Sequence, residues 1–329
     1  MSLLEVENLR VEFATEEGGI IAVKDVSFTL ERGEILALVG ESGCGKSTVA
    51  MSIPRLLGDS HVKLGGSVRL DGVDLASLSE RRMQDVRGTQ ISVVFQEPMT
   101  SLNPAYTAGK QIAEVLRRHE RLSRRAALRR AVELLELVGI PDAEHRIASF
   151  PHELSGGMRQ RVMIAIAVAC NPKVLIADEP TTALDVTIQA GILDIFRRLR
   201  DRLGTAIILI THDLGVVADI ADRVAIMYAG RVVEQCTTNA IFSGPAHPYT
   251  LGLLAALPAR AVLQADGRRR LTDIPGMVPA PMTDPDVCQF APRCARVTAQ
   301  CTLRRPELTE VGVGHLVACY HPDRKASSE

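Results

Sequence analysis

The chain contains no tryptophan, and aromatic residues make up only 3% of its 329 residues. A nucleic-acid platform built on base stacking needs several exposed rings, so that class of binder is disfavoured from the start. An excess of charge is also missing: 38 Lys and Arg face 39 Asp and Glu, for a formal net charge of -1. A chain-wide basic field for nucleic acid is therefore absent. Long apolar runs are missing too. The longest, Val162 to Cys170, falls far short of the roughly 18 residues that a spanning helix needs. The first residues, MSLLEVENLRVEF, carry Glu5, Glu7 and Arg10 and no apolar signal core, so the expectation is a cytosolic protein with reduced thiols. What is present is 46% hydrophobic and 23% charged, which supports a packed core and argues against wholesale disorder. The length allows about two domains.

Short segments rich in branched residues open the chain. Leu4 to Val6, Ile20 to Val23 and Val26 to Leu30 alternate in part, which predicts strands. Glu34 to Val39 reads as a buried strand stopped by Gly40, and a helical pattern runs from near Lys46 to about Leu57. Thr107 to Val138 reads as helical and carries seven arginines between Arg117 and Arg130. Glutamates and leucines punctuate that run, which favours a solvated helix face over an RNA or lipid contact. Further on, Lys173 to Ala177 and Ala206 to Ile210 read as strands around a helix at Val186 to Leu203, and Val224 to Met227 and Arg231 to Glu234 as two more strands. Strands alternating with helices predict an α/β core with a mainly parallel sheet. From Gly244 to Pro285 prolines recur, as in IPGMVPAPMTDPD, and this stretch reads as a linker to a small Cys-rich tail.

Two motifs carry chemistry. Residues Gly40, Ser42, Gly43, Cys44, Gly45, Lys46, Ser47 and Thr48 fall in the pattern G-x4-G-K-[ST], between a strand and a helix. Glycines let the backbone wrap so that successive N–H groups point at phosphate oxygens, and the following helix aims its positive end at the same anion. Lys46 is placed to bridge the β- and γ-phosphates and Ser47 to ligate Mg²⁺. A thiol at Cys44 is passive in that role, although its alkylation would block nucleotide. The second motif is Val174-Leu175-Ile176-Ala177-Asp178-Glu179, an apolar strand ending in two carboxylates. Asp178 suits the Mg²⁺ ion and Glu179 the attacking water.

Between them lies Leu154-Ser155-Gly156-Gly157-Met158-Arg159-Gln160-Arg161. Together the three motifs resemble the ATPase domain of ATP-binding cassette (ABC) proteins, whose signature begins LSGG; Met158 stands where that signature commonly has Gln. The resemblance covers about residues 3–260. It implies an α/β ABC ATPase fold, a P-loop NTPase core with an antiparallel β subdomain and a helical subdomain, over residues 1–243, with the helical part at about 97–170. It further implies that Gln96 touches Mg²⁺ and water and senses a transmembrane partner, that His212 contacts the γ-phosphate, and that Ala183-Leu184-Asp185 is the loop where two cassettes meet. Phe13 sits where the family stacks an aromatic on adenine. Catalysis would rest on Glu179, His212, Lys46 and Gln96. In the family ATP lies between the phosphate loop of one subunit and Ser155, Gly156 and Gly157 of another, so the chain is expected to act as a dimer.

Narrower features resemble the ATPases of oligopeptide/dipeptide importers. They are Phe95 to Pro104 (FQEPMTSLNP), Ala246 to Thr250 (AHPYT), Ile274 to Gly276 (IPG) and Phe290 to Cys294 (FAPRC). That resemblance implies a Mg²⁺-dependent ATPase on the cytoplasmic face of the cell membrane, powering peptide import. The implied partners are two transmembrane permease subunits, a second, related but different ATPase chain, and an extracytoplasmic substrate-binding protein acting through the permease. Import of nickel or another small solute is the alternative. A soluble ABC ATPase acting on ribosomes or DNA is a more distant one, because the chain lacks a second cassette and any long coiled coil.

Residues 244–329 form the extension of this subfamily. They hold Cys288, Cys294, Cys301 and Cys319. Four thiolates suit either a [4Fe–4S] cluster or tetrahedral Zn²⁺, and unliganded thiols are a third reading. The absence of a C-x2-C pair weakens zinc, and the resemblance favours the cluster. His315 and His321 are spare ligands, and Cys170 and Cys236 read as fillers.

Overall fold

The computed structural model describes residues 2–15, 18–58, 61–182, 184–257, 262–263, 269–270, 273–279 and 286–323, with the side chains of 98, 99, 262, 263, 269 and 270 outside the description. The chain folds as two compact units, each assembled from separated segments. The first comprises residues 1–4, 29–35 and 69–210, and the second residues 5–28, 36–68 and 211–329.

In the first unit the strands Ile91–Val94, Val174–Asp178 and Ala206–Thr211 lie side by side and parallel, with Ile91 opposite Val174 and Val174 opposite Ala206. Every residue of Val174–Asp178 is buried. A strand covered on both faces has no polar face to present, which is why it reads as a continuous apolar run. Helices Ala108–His119 and Arg124–Leu137 pack on each other and on Gly156–Ala167, which also meets strand Ile91–Val94. The stretch read as one helical segment, 107–138, is two helices. Thr107 and Ser123 each accept a backbone N–H three residues on, from Lys110 and Ala126, at 3.3 Å. Such caps start new helices. Ile112, Leu116, Leu134 and Leu135 are fully buried, whereas Arg117, Arg118, Arg121, Arg124, Arg125 and Arg129 are exposed.

The second unit holds the antiparallel β subdomain, in which Gly18–Leu30, Leu4–Thr15 and Val62–Leu70 are neighbours in that order. Ile20 to Leu30, read as two strands, is one. Its second sheet begins with Ile35–Val39, parallel to Arg223–Tyr228. Arg231–Thr237 adds antiparallel, with Arg231 opposite Tyr228. A hairpin of His315–Val317 and Thr309–Gly312 then extends the edge, with Glu234 opposite Val317.

The presumed linker is partly structural. Pro248–Ala255 is a helix whose Tyr249 and Leu254 are 0% exposed. Its apolar face closes a core with Val39, Ile226, Tyr228 and Phe290, and burial of those large side chains outweighs the helix-weakening Gly and Pro composition. The rings of Tyr228 and Tyr249 stand 4.8 Å apart, and those of Tyr228 and Phe290 5.3 Å apart, both edge-on. The prolines at 281 and 285 lie outside the described residues.

Candidate active site

The phosphate loop belongs to the second unit. It leaves strand Ile35–Val39 and enters helix Lys46–Ser52. This helix is shorter than the pattern to Leu57 suggests, because Arg55 takes a left-handed φ of 55°. Glycine is demanded at two points. A Cβ on Gly40 would stand 2.3 Å from the Met227 carbonyl oxygen, and one on Gly45 would stand 2.5 Å from that of Ala22, at a φ of 99°. No L side chain fits either place. Ser42, Gly43 and Ser47 are exposed on the loop, and Thr48 is half-buried. Lys46 is only 5% exposed. Its Nζ donates to the carbonyls of Gly40 at 2.8 Å and Glu41 at 3.0 Å. Cys44 is buried, and burial raises its thiol pKa even though Lys46 opposes the shift. A neutral, enclosed thiol is a poor nucleophile.

The same unit contains Phe13, half-buried on Leu4–Thr15, and His212, which follows strand Ala206–Thr211. Next to His212, Asp213 caps helix Leu214–Ile220 by accepting from Gly215 N at 2.7 Å.

The carboxylates belong to the first unit. Asp178 ends the buried strand and is 4% exposed. Glu179 turns out of it with a φ of 46°. Its N–H donates to Ile210 O at 3.0 Å. Its Oε2 accepts from Gln96 Nε2 at 3.2 Å and from Thr182 Oγ1 at 2.9 Å. The structure thus brings Gln96 and Glu179 together. Thr182 is a partner that sequence reasoning missed. Ser155 is the N-cap of helix Gly156–Ala167, its Oγ accepting from Met158 N at 3.3 Å. Ser155 and Gly156 are exposed, and a Cβ on Gly157 would stand 2.7 Å from Ile188. Of this first turn Gly156 is exposed, Gly157 is buried, and the Met158 N–H is taken by the Ser155 cap. Asp185 caps Val186–Leu203 by accepting from Ile188 N at 2.9 Å; Ala183 beside it lies outside the described residues.

The four tail cysteines converge. Cys288, Cys294, Cys301 and Cys319 line one small pocket with His247, Phe290 and His321. Two sulfurs accept backbone N–H groups: Cys294 from Arg296 and Cys319 from His321, each at 3.3 Å. Burial raises the pKa of Cys288, and pushes that of Cys319 to about 11. Thiols held this way release their protons only to a strongly bound cation. Zinc holds four sulfurs about 3.8 Å apart. Among the described residues, however, the only trio of His, Cys, Asp or Glu with ligand atoms within 4.8 Å of one another is Glu234, Cys236 and His315. The four tail thiols lie outside that trio, and an all-thiol set has the donor chemistry of both zinc and iron–sulfur groups. In the trio, burial lifts the Cys236 thiol to about 12.

Glu234 is fully buried. Burial alone would raise its pKa, yet His315 Nε2 at 2.7 Å and the N–H groups of Ala246 and His247 at 2.7 and 2.9 Å hold it below the usual range.

Known proteins align with both parts. Residues 23–182 match the ABC transporter family, and residues 233–301 match the oligopeptide/dipeptide transporter C-terminal region. The oligopeptide transport ATP-binding protein OppD of Bacillus subtilis is 52% identical over 325 residues, covering 98% of this chain and 90% of its own. A probable peptide ABC transporter ATP-binding protein, y4tR of Sinorhizobium fredii, is 51% identical over 320 residues, 97% of this chain and 94% of its own. Among solved structures, the dimeric post-hydrolysis state of the ATP-binding cassette MJ0796, bound to ADP and Pi, superposes with a TM-score of 0.64. It is 29% identical and covers 71% of this chain and 98% of its own. With an ABC ATPase fold and the subfamily's C-terminal region in one chain, the protein belongs to the ATP-binding proteins of the oligopeptide/dipeptide ABC transporter family.

Proposed function

We propose that this chain is the ATP-hydrolysing subunit of an ABC importer that moves peptides across the cell membrane. The observation that carries the reading is the oligopeptide/dipeptide-type region at 233–301, downstream of a full set of ATPase motifs. The identity to OppD over nearly the whole chain supports it. Residues 1–243 serve as the nucleotide-binding domain, with a helical subdomain near 97–170, and 244–329 as the extension.

The chemistry is phosphoryl transfer to water. The loop N–H groups from Gly40 to Thr48 cradle the phosphates, Lys46 holds the β- and γ-phosphates, and Phe13 packs on the adenine. Ser47, Asp178 and Gln96 would hold Mg²⁺, which would supply charge neutralisation on the phosphate oxygens. Glu179, aimed by Gln96 and Thr182, takes the proton of the attacking water. His212 steadies the γ-phosphate. Ser155, Gly156, Gly157 and Asp185 act on the nucleotide bound by a second cassette, a related but different chain. Two permease subunits and, through them, an extracytoplasmic binding protein complete the importer, and the chain works at the cytoplasmic face. Cys288, Cys294, Cys301 and Cys319 would hold a [4Fe–4S] cluster, which would supply a cross-link for a short tail with little core of its own.

The test is affinity purification of Glu179→Gln from native membranes with ATP, followed by mass spectrometry. Two multi-span permeases and a second cassette are expected. Ribosomal or DNA-processing proteins in their place would overturn the transport reading and leave the ATPase reading standing.

A further inference from the structure

Three of the sequence motifs that marked the subfamily have no role in the chemistry above, yet they converge on one residue of the phosphate loop. That residue is Glu41, the first after Gly40. From the FAPRC motif, Arg293 Nη1 donates to Glu41 Oε2 at 2.9 Å. From the IPG motif, the carbonyls of Pro275 and Ile274 receive Arg293 Nε at 2.8 Å and Nη2 at 3.3 Å. From the AHPYT motif, the Tyr249 hydroxyl accepts the Glu41 N–H at 3.0 Å. The Arg293 side chain is only 6% exposed, and its guanidinium lies 5.7 Å from the centre of the Tyr228 ring. All three guanidinium nitrogens of Arg293 donate, a fork that a lysine could not reproduce.

Glu41 is therefore held at its N–H and its carboxylate, and its third polar group faces the site. Its carbonyl oxygen receives Lys46 Nζ at 3.0 Å. An ammonium has three donors, so this carbonyl helps aim Lys46 while a donor remains for phosphate. The Glu41 carboxylate also puts a negative charge on a loop that binds a polyanion. Arg293 neutralises it at close range, in a part-buried setting where screening is weak.

We propose that Arg293 and Tyr249 are positioning residues for the phosphate loop: through Glu41 they cancel a repulsive charge and fix the carbonyl that holds Lys46, so ATP affinity depends on the C-terminal extension. The proposal rests on the reading of Lys46 as a phosphate ligand. It explains why Tyr249, Pro275 and Arg293, far apart in sequence, sit together.

The experiment titrates the full chain with a non-hydrolysable ATP analogue and Mg²⁺, alongside steady-state ATPase kinetics and thermal melting. Arg293→Gln leaves the Glu41 charge bare and is expected to raise Kd and KM about tenfold, with kcat changed less than about twofold, on the scale of one lost charged hydrogen bond. Glu41→Gln in the same chain removes the bare charge and is expected to restore Kd to within about twofold. Arg293→Lys keeps the charge but loses the two carbonyl contacts; its Kd is expected to stay near wild type while its melting temperature falls. A docking contact without a positioning role gives the opposite pattern: a lower melting temperature, unchanged Kd, and no rescue by Glu41→Gln. That pattern overturns the proposal. If Arg293→Gln does not fold, Tyr249→Phe removes only the hydroxyl that accepts the Glu41 N–H. A several-fold rise in Kd then supports the proposal, and an unchanged Kd overturns it. Lys46→Ala separates the two levels: if it binds the analogue normally, the phosphate-ligand reading itself fails.

Discussion

Glu179 shows how a single residue is prepared for its role. A non-glycine at a φ of 46° carries a backbone cost of order 1–3 kcal/mol. The surroundings over-determine it: the N–H is bound by Ile210 O, and the carboxylate by Gln96 and Thr182. A carboxylate fixed by two donors can take a proton without first searching for its orientation. Glutamine in its place has the same shape and no basicity. Glu179→Gln is therefore expected to bind ATP as wild type does and to release phosphate at least ~100-fold more slowly, the scale of a lost general base. A phosphate-release assay beside an ATP-binding isotherm checks this, and near wild-type turnover would remove Glu179 from the base role. The residue types at this site were legible in the sequence because each sits within a few positions of a glycine run or an apolar strand. Thr182 was not, because a threonine hydroxyl near a carboxylate leaves no pattern in composition or period.

At the scale of elements, legibility follows the range of the forces. Val186–Leu203 appears in the structure with the bounds that the sequence suggests, since both ends are local: Asp185 caps the start, and Gly204 closes the end with a φ of 65°. The hairpin 309–317 left no such trace. It is held by pairing with Arg231–Thr237, some eighty residues earlier, and no short-range pattern encodes a partner that distant. Glu234 sits at that junction. It is a charged residue that is 0% exposed, and His315 and two loop N–H groups compensate the charge. Its carboxyl pKa is lowered in the fold. Its stabilisation is therefore present above the unfolded carboxylate range, near pH 4.3, and is lost as pH falls through the lower folded value. Wild type is expected to melt higher than Glu234→Gln at pH 7, by a few °C or more. The gap should narrow as pH drops below about 4. Melting curves of both proteins between pH 7 and pH 3 decide it; a gap that does not change with pH would mean that Glu234 acts through shape alone.

At the scale of the whole molecule, sequence order and compact bodies do not coincide. The second unit gathers 5–28, 36–68 and 211–329, so the phosphate loop, His212 and all four tail cysteines share one body although up to about 280 residues separate them. The composition shift near residue 243 marks a change in amino-acid usage, and helix Pro248–Ala255 carries the core straight across it. That arrangement gives a metal in the tail a consequence beyond the tail. A segment of about forty residues buries too little apolar surface to be stable alone, and the cavity lined by Cys288, Cys294, Cys301 and Cys319 abuts Phe290, which packs in the same aromatic cluster as Tyr228 and Tyr249. Cys319 lies beyond the stretch that matches the subfamily region, which ends at residue 301, so it is the informative cysteine to replace in testing the proposed cluster. Protein purified without oxygen is expected to contain iron and acid-labile sulfide, and Cys319→Ser to lose most of both. Because ligand binding to the folded state stabilises it by mass action, loss of the cluster should lower the melting temperature of the unit as one cooperative transition, with nucleotide affinity falling in parallel. Zinc in place of iron would overturn the cluster reading and leave a single tetrahedral ion on the four thiols. Metal-free protein with an unchanged melting temperature would reduce the four cysteines to packing.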